Sequence, residues 1–283
     1  MKLASFSRNG EQGFGAVVGD RLLDLTQAFG AQAPGLRQVL ERDLLHAVRA
    51  QIDAGGLPER ELDAVTFEPV IPDPGKIICV GLNYADHVQE TGRQVTAHPT
   101  LFLRVPESQT GHGQPMLLPP ESDALDFEGE IALIIGKGGR RVAEAEAMNH
   151  VAGYSCYNDG SIRDWQAAAT QWTAGKNFAA TGAFGPWMVT ADAIPTDRPM
   201  RLITRLNGTM VQETTTDLLI HGFARLIAHI SVFTTLYPGD VIVTGTPAGV
   251  GFKRSPPLFM KDGDEVEVEV DAIGTLRNRV TAE

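Results

Sequence analysis

At 283 residues, 43% apolar and 21% charged, the chain has the composition of a folded globular protein, one large domain or a domain with a smaller lobe. Twenty-four Lys and Arg against 35 Asp and Glu leave a formal net charge of −11, which argues against nucleic acid and anionic membrane as partners, since both demand a basic patch. No apolar run approaches the ~20 residues of a membrane span, Met1–Arg8 lacks the apolar centre of a signal peptide, and the two cysteines, Cys79 and Cys156, fall in buried-strand patterns, so a reduced, cytoplasmic protein is expected.

Leu3–Phe6, Gly15–Val18 and Arg21–Leu25 read as short strands. Leu36 to Ile52 has helical spacing, with Leu36, Val39, Leu40, Leu44, Leu45 and Val48 on one stripe. Pro69, Pro72 and Pro74 mark a link, so residues 1–70 are expected to form a small N-terminal α/β lobe and 71–283 the main domain. Lys76–Val80 is a buried strand. The segment Gly81–Gly92 after it has glycine at both ends, as a mobile lid would. Within it His87 and Glu90 stand three apart, on one side of a helical turn, and a histidine oriented by a carboxylate is the usual pairing for activating water.

Ile131–Ile135 reads as a buried strand, and period-two alternation points Glu128 and Glu130 the same way. Asp159 follows a second strand pattern, Val151–Tyr157. If the two strands are neighbours, three carboxylates converge, and an all-oxygen site suits magnesium or manganese. The competing reading is the solvated face of an edge strand. Arg163 and Gln166 lie on one face of a short helix, placed either to grip a substrate carboxylate or, for the arginine, to pair with Asp164 on the surface. Lys176 sits among small and apolar residues, either partly buried to stabilise negative charge or solvated in a loop.

Asn207-Gly208 is a hairpin signal between Arg201–Leu206 and Thr209–Glu213. One long helix is expected from about Thr216 to Leu236, with Asp217 in its first turn. The loop Gly245–Gly251 lacks the Gly-Lys-Ser/Thr ending of a phosphate-binding loop, and its glycines let backbone amides approach a ligand. Asp264–Val270 alternates strictly and Leu276–Val280 returns beside it. The other six histidines show no metal-ligand spacing. Without alternating βαβ units, the expectation is an α+β fold, mostly β.

In order, Gly81-Leu-Asn-Tyr-x-x-His-x-x-Glu90, Pro99–Arg104, Asp126-x-Glu-x-Glu130, Asn158-Asp159, Arg163-Asp-Trp-Gln166, Gly175-Lys-x-Phe178, Asn207-Gly208 and Gly245–Gly251 resemble the fumarylacetoacetate hydrolase family over roughly residues 70 to 283. The resemblance implies a mixed β-roll or sandwich catalytic domain behind a small lobe, usually a homodimer. It implies magnesium or manganese at Glu128, Glu130 and Asp159, and a water-activating dyad at His87 and Glu90. Lys176 becomes a catalytic cation. Arg163, Gln166 and Thr246, with Tyr84 and Arg104, become substrate contacts. Two departures, Ala179 where the family often has Asp and Arg104 where it often has Lys, are expected to border the pocket.

The reaction these residues imply is hydrolysis of the C3–C4 bond of a 2,4-diketo acid, an acylpyruvate such as a sugar-derived one, to pyruvate and a carboxylic acid. The alternative is decarboxylation of a 2-oxo acid such as oxaloacetate, or isomerisation of a 2-hydroxy-diene-dioate, on the same site. A non-catalytic scaffold is the reading from another class, and the intact charged set argues against it.

Overall fold

Ile131-Ala-Leu-Ile-Ile135 is apolar at every position because both faces of its strand are buried. The computed structural model describes residues 1–283 and places this strand, Gly129–Ile135, inside a 12-stranded sheet. It pairs antiparallel with Val151–Asp159 on one side and with Val241–Val243 on the other. Val241–Val243 runs parallel to Ile77–Gly81, whose second neighbour is the edge strand Thr100–Arg104. In the other direction the sheet passes through Gly182–Thr190 to Lys2–Arg8, Glu11–Val18 and Arg21–Asp24. The first strands of the chain thus extend the sheet that carries the central carboxylates. A five-stranded sheet, built of Met116–Leu118, Arg201–Leu206, Thr209–Thr215, Glu265–Val270 and Gly274–Ala282, covers one face. Strand exceeds helix, 36% to 24% of residues, so the fold is α+β and mostly β as expected. No helix is long and apolar enough to cross a membrane.

The central strand divides its side chains between two cores. Ile131, Leu133 and Ile135 pack with Leu202, Leu206, Val266 and Val268 of the second sheet. Ala132 and Ile134 pack on the opposite face with Leu36, Val39, Leu40 and Val48. Glu128 and Glu130 share the parity of Ala132 and Ile134, so they face away from the second sheet.

Two helices differ from expectation. The stripe from Leu36 to Ile52 is split into Leu36–Glu41 and Leu45–Ala54, because Asp43 adopts φ 53° and breaks the ladder. The stripe still buries Leu36, Val39, Leu40 and Val48. The helix expected from Thr216 begins only at Phe223, after a 3-10 turn at Thr216–Leu218, and ends at Phe233. Between them Leu219 bridges to Tyr84, and Asn83 takes the backbone of Ile220 and His221, so that stretch is held extended. Asp217 and His221 therefore precede the helix. The Asn207-Gly208 hairpin is present, with both residues at positive φ as a type I′ turn needs. Both cysteines are buried and unpaired.

His112 packs edge-on against Phe67, and its Nδ1 accepts the Arg277 backbone N–H at 3.1 Å. Burial, aided by the Arg277 charge, pushes its pKa from 6.5 down to about 4. The neutral ring's contribution is therefore complete above pH 6.5 and is lost as pH falls through about 4. His112→Asn keeps an acceptor without the titration. Urea unfolding at pH 7 and pH 4 should show wild type losing roughly 1–2 kcal/mol more than the variant, after allowance for partial exposure. Equal losses would remove His112 from the acid response.

Candidate active site

Strand pairing brings the three predicted carboxylates together. Gly129 lies opposite Asn158, and the Asp159 N–H donates to the Glu128 carbonyl at 2.8 Å, so Asp159 ends its strand directly across from Glu128. One carboxylate oxygen from each of Glu128, Glu130 and Asp159 lies within 4.8 Å of the others, and all three residues are buried. The edge-strand alternative is thereby excluded.

Burying these groups costs energy unless cations offset it, and the cations are unequally shared. Lys176 Nζ donates to Glu128 Oε2 at 2.6 Å and to Asp159 Oδ2 at 2.5 Å. Arg163 Nη2 donates to Glu128 Oε1 at 2.6 Å, and Arg104 Nη1 to Asp159 Oδ1 at 2.5 Å. Glu130 has no cation within 4.0 Å; its Oε2 accepts only the Gly245 N–H at 2.5 Å. Gly245 sits at φ 106°, and a Cβ there would meet the Asn83 Cβ at 2.7 Å, so this approach requires glycine.

Charge states follow from this sharing. Burial favours the neutral acid of Glu128, but Arg163 and Lys176 outweigh it and hold its carboxyl well below the usual range. Burial, then the Asp159 and Glu128 charges, push Glu130 well above that range. Burial also opposes the charged form of Lys176, yet Asp159 and Glu128 raise its pKa, so it stays an ammonium. Four buried acids (Asp126, Glu128, Glu130 and Asp159) share three buried cations (Arg104, Arg163 and Lys176), and Glu130 is the one left without a cation in contact, so without a metal its neutral form is favoured. A divalent cation fits here. Donors are oxygen only, and the 4.8 Å spread matches the ~4–5 Å diameter of a coordination sphere with oxygens at ~2.0–2.6 Å.

Asp126 was legible in the sequence only as part of a spaced acidic motif, and the structure shows it as an anchor. It accepts Arg163 Nε at 2.8 Å and the N–H groups of Gly251 and Phe252 at 2.8 and 3.0 Å. The Gly245–Gly251 loop does lend its amides, but to Glu130, Glu90 and Asp126. Arg163 also donates to Gln166 Oε1 at 2.8 Å and lies 4.3 Å from the Phe252 ring centroid. Asp164 is not its partner and instead accepts Ser122 Oγ.

His87 is carried on the short helix Ala85–Thr91, and its Nδ1 lies 3.2 Å from Glu90 Oε2. Glu90 Oε1 accepts the Gly249 N–H at 3.0 Å, so the segment is docked. Asn83 ties its base by donating to the carbonyls of Thr244 and His221.

His87, Glu128, Glu130, Arg163, Gln166, Lys176 and Thr246 all line one cavity of about 170 Å³. Asp159 is fully buried and does not line it. Three expectations change. Arg104 is enclosed behind Asp159, bonded also to Gly160 O and Thr181 Oγ1, and does not reach the cavity. Tyr84 packs inside the protein at the helix start and does not line it either. Ala179 is exposed, away from the wall. Thr246 lines the cavity, but its hydroxyl hydrogen goes to the Gly129 carbonyl at 3.0 Å while the oxygen accepts from Gln212. Sequence reasoning missed the wall residues Arg93, Phe102, Trp172 and Phe252, whose only signal was nearness to motifs.

Arg104→Met leaves Asp159 buried with one cation removed. Unfolding free energy should drop by about 3–5 kcal/mol, read from urea denaturation. Unchanged stability would mean Asp159 does not depend on it.

The family model for the fumarylacetoacetate (FAA) hydrolase C-terminal domain matches residues 76–281. The mitochondrial oxaloacetate tautomerase Fahd2a of Rattus norvegicus is 40% identical over 265 residues, 93% of this chain and 85% of the relative. A fumarylacetoacetate hydrolase of Exiguobacterium antarcticum superposes with TM-score 0.88 at 34% identity over 100% of both chains. A maleylpyruvate hydrolase of Sphingobium sp. SYK-6, solved with manganese(II) and pyruvate, superposes with TM-score 0.83 at 30% identity over 100% of this chain and 99% of that one.

Proposed function

The chain belongs to the fumarylacetoacetate hydrolase family, and we propose that it enolises a small 2-oxo acid at a magnesium or manganese site, keto–enol tautomerisation of oxaloacetate being the reaction of that type. One observation carries this reading: the His87–Glu90 pair and the carboxylate cluster serve a single cavity of about 170 Å³. That volume is below the ~300–1,000 Å³ of pockets for drug-sized ligands, which favours an acid of few carbons over a bulky diketo acid.

Glu128, Glu130 and Asp159 would hold the divalent ion, which would supply Lewis acidity for the developing enolate charge. Glu90 accepts from Nδ1–H of His87, which leaves Nε2 as the basic nitrogen. Nε2 takes a proton from C3 and delivers it to the C2 oxygen to give the enol, and the reverse steps return it to C3. Lys176, kept charged by its carboxylates, acts as a fixed cation for developing oxyanion charge rather than as the base. Gln166 accepts from Arg163 through Oε1, so its NH₂ is free to hold the substrate carboxylate.

Hydrolysis of an acylpyruvate is the second reading. The same dyad serves a water aimed at C4, and the likeness to maleylpyruvate hydrolase favours it. NMR in D₂O with manganese separates the readings. Deuterium entering C3 of oxaloacetate above the metal-only rate supports enolisation. Pyruvate plus free acid from an acylpyruvate, without that exchange, would replace it with hydrolysis. Rapid loss of carbon dioxide from oxaloacetate would make the enzyme a decarboxylase.

A further inference from the structure

We propose that Arg93, seated on Trp172 at the cavity wall, is the residue that selects a substrate with a second carboxylate, making the substrate a 2-oxo dicarboxylic acid. This rests on the enolisation reading above and names the substrate class of that site.

Arg93 differs from the other cavity cations in being unspent. Lys176 and Arg163 are both committed to buried carboxylates. Arg93 lines the same cavity, is exposed, and has no carboxylate within 4.0 Å. Its Cζ lies 5.4 Å from the Trp172 ring centroid, so the indole supports the guanidinium while its donors stay available.

Its backbone position is held. Gly92, at φ 69°, ends the helix that carries His87 and Glu90. The Gly92 N–H donates to Gln89 O and the Arg93 N–H to Val88 O, the paired bonds of a Schellman cap. Arg93 therefore keeps a set place relative to the dyad.

The wall between the two ends is aromatic. Lys176 Nζ lies 4.8 Å from the Phe102 centroid, Phe102 and Trp172 are 5.5 Å apart edge to face, and Arg93 follows on Trp172. An inner end that holds the oxo-acid head is thus joined by an apolar wall to an outer guanidinium. A guanidinium of this kind grips a carboxylate in a two-pronged contact, and preorganisation on the indole reduces the cost of ordering it.

The test compares oxaloacetate with 2-oxobutyrate, which lacks the distal carboxylate, on manganese-loaded wild type, Arg93→Ala and Arg93→Lys. C3 proton exchange is followed by NMR and binding by calorimetry. Arg93→Ala should raise KM and Kd for oxaloacetate about 10- to 100-fold, with kcat within about threefold. For 2-oxobutyrate both constants should move less than about threefold, and Arg93→Lys should recover part of the oxaloacetate loss. Equal weakening toward both acids, or no weakening toward either, overturns the proposal. Wild type that exchanges neither acid sinks the enolisation reading alone. The calorimetric comparison still decides Arg93: selective loss of oxaloacetate affinity upholds it, and equal affinities remove it.

Discussion

His87→Ala is expected to lower turnover about 10²- to 10⁴-fold while leaving manganese affinity unchanged. His87 lines the cavity but is not among the three convergent carboxylates, so its loss removes proton transfer and not the ion site. Glu90 lies off the cavity and acts through His87, held by the Gly249 amide. Glu90→Gln should therefore cost less, about 10- to 100-fold, because Nδ1 loses its charged partner while His87 itself remains in the cavity. The double variant should be no slower than His87→Ala, since residues acting as a unit are not additive. Steady-state kinetics with calorimetric manganese titrations read all of this. Turnover of His87→Ala at the wild-type rate would end the dyad's role in either reading of the reaction.

Glu130→Gln is expected to weaken manganese binding at least about 100-fold, beyond the 10- to 100-fold typical of residues that merely support a ligand. The sign of its effect on stability is the distinguishing feature. Glu130 is buried without a cation, next to two other carboxylates, and its neutral form is favoured. The amide relieves that repulsion, so metal-free Glu130→Gln should unfold at a temperature equal to or above wild type. Glu128→Gln removes the partner of two buried cations and Asp159→Asn does the same, so each should destabilise the metal-free protein by about 3–5 kcal/mol. Thermal unfolding in a chelator, beside manganese titration, separates the three carboxylates. Wild-type manganese affinity in Glu130→Gln would remove Glu130 from the ion site.

Local pattern was sufficient for much of this protein. Period-two alternation put Glu128 and Glu130 on one face. The apolar run after them marked a strand buried on both sides, and Asn207-Gly208 marked its hairpin. The spacing of His87 and Glu90 set a helical pair that the structure places 3.2 Å apart. These are properties of neighbours within a turn or a pleat, where the backbone period alone decides direction. The stripe of Leu36 to Val48 was legible in the same way, but its break was not, because one aspartate at positive φ leaves the hydrophobic period intact.

Only tertiary structure decided which charges meet. Arg104 was expected at the substrate and instead lies behind Asp159, 55 residues away in sequence. The amide that satisfies Glu130 comes from Gly245, 115 residues away, and Asp126 holds a loop 125 residues further on. The helix expected at Thr216 starts at Phe223 because Asn83, 138 residues earlier, captures the backbone at His221. A local pattern states that a buried charge needs a partner, since desolvation is costly wherever it happens. It does not state which partner, because several arginines and amides satisfy the same need, and strand order brings only some of them within hydrogen-bonding reach.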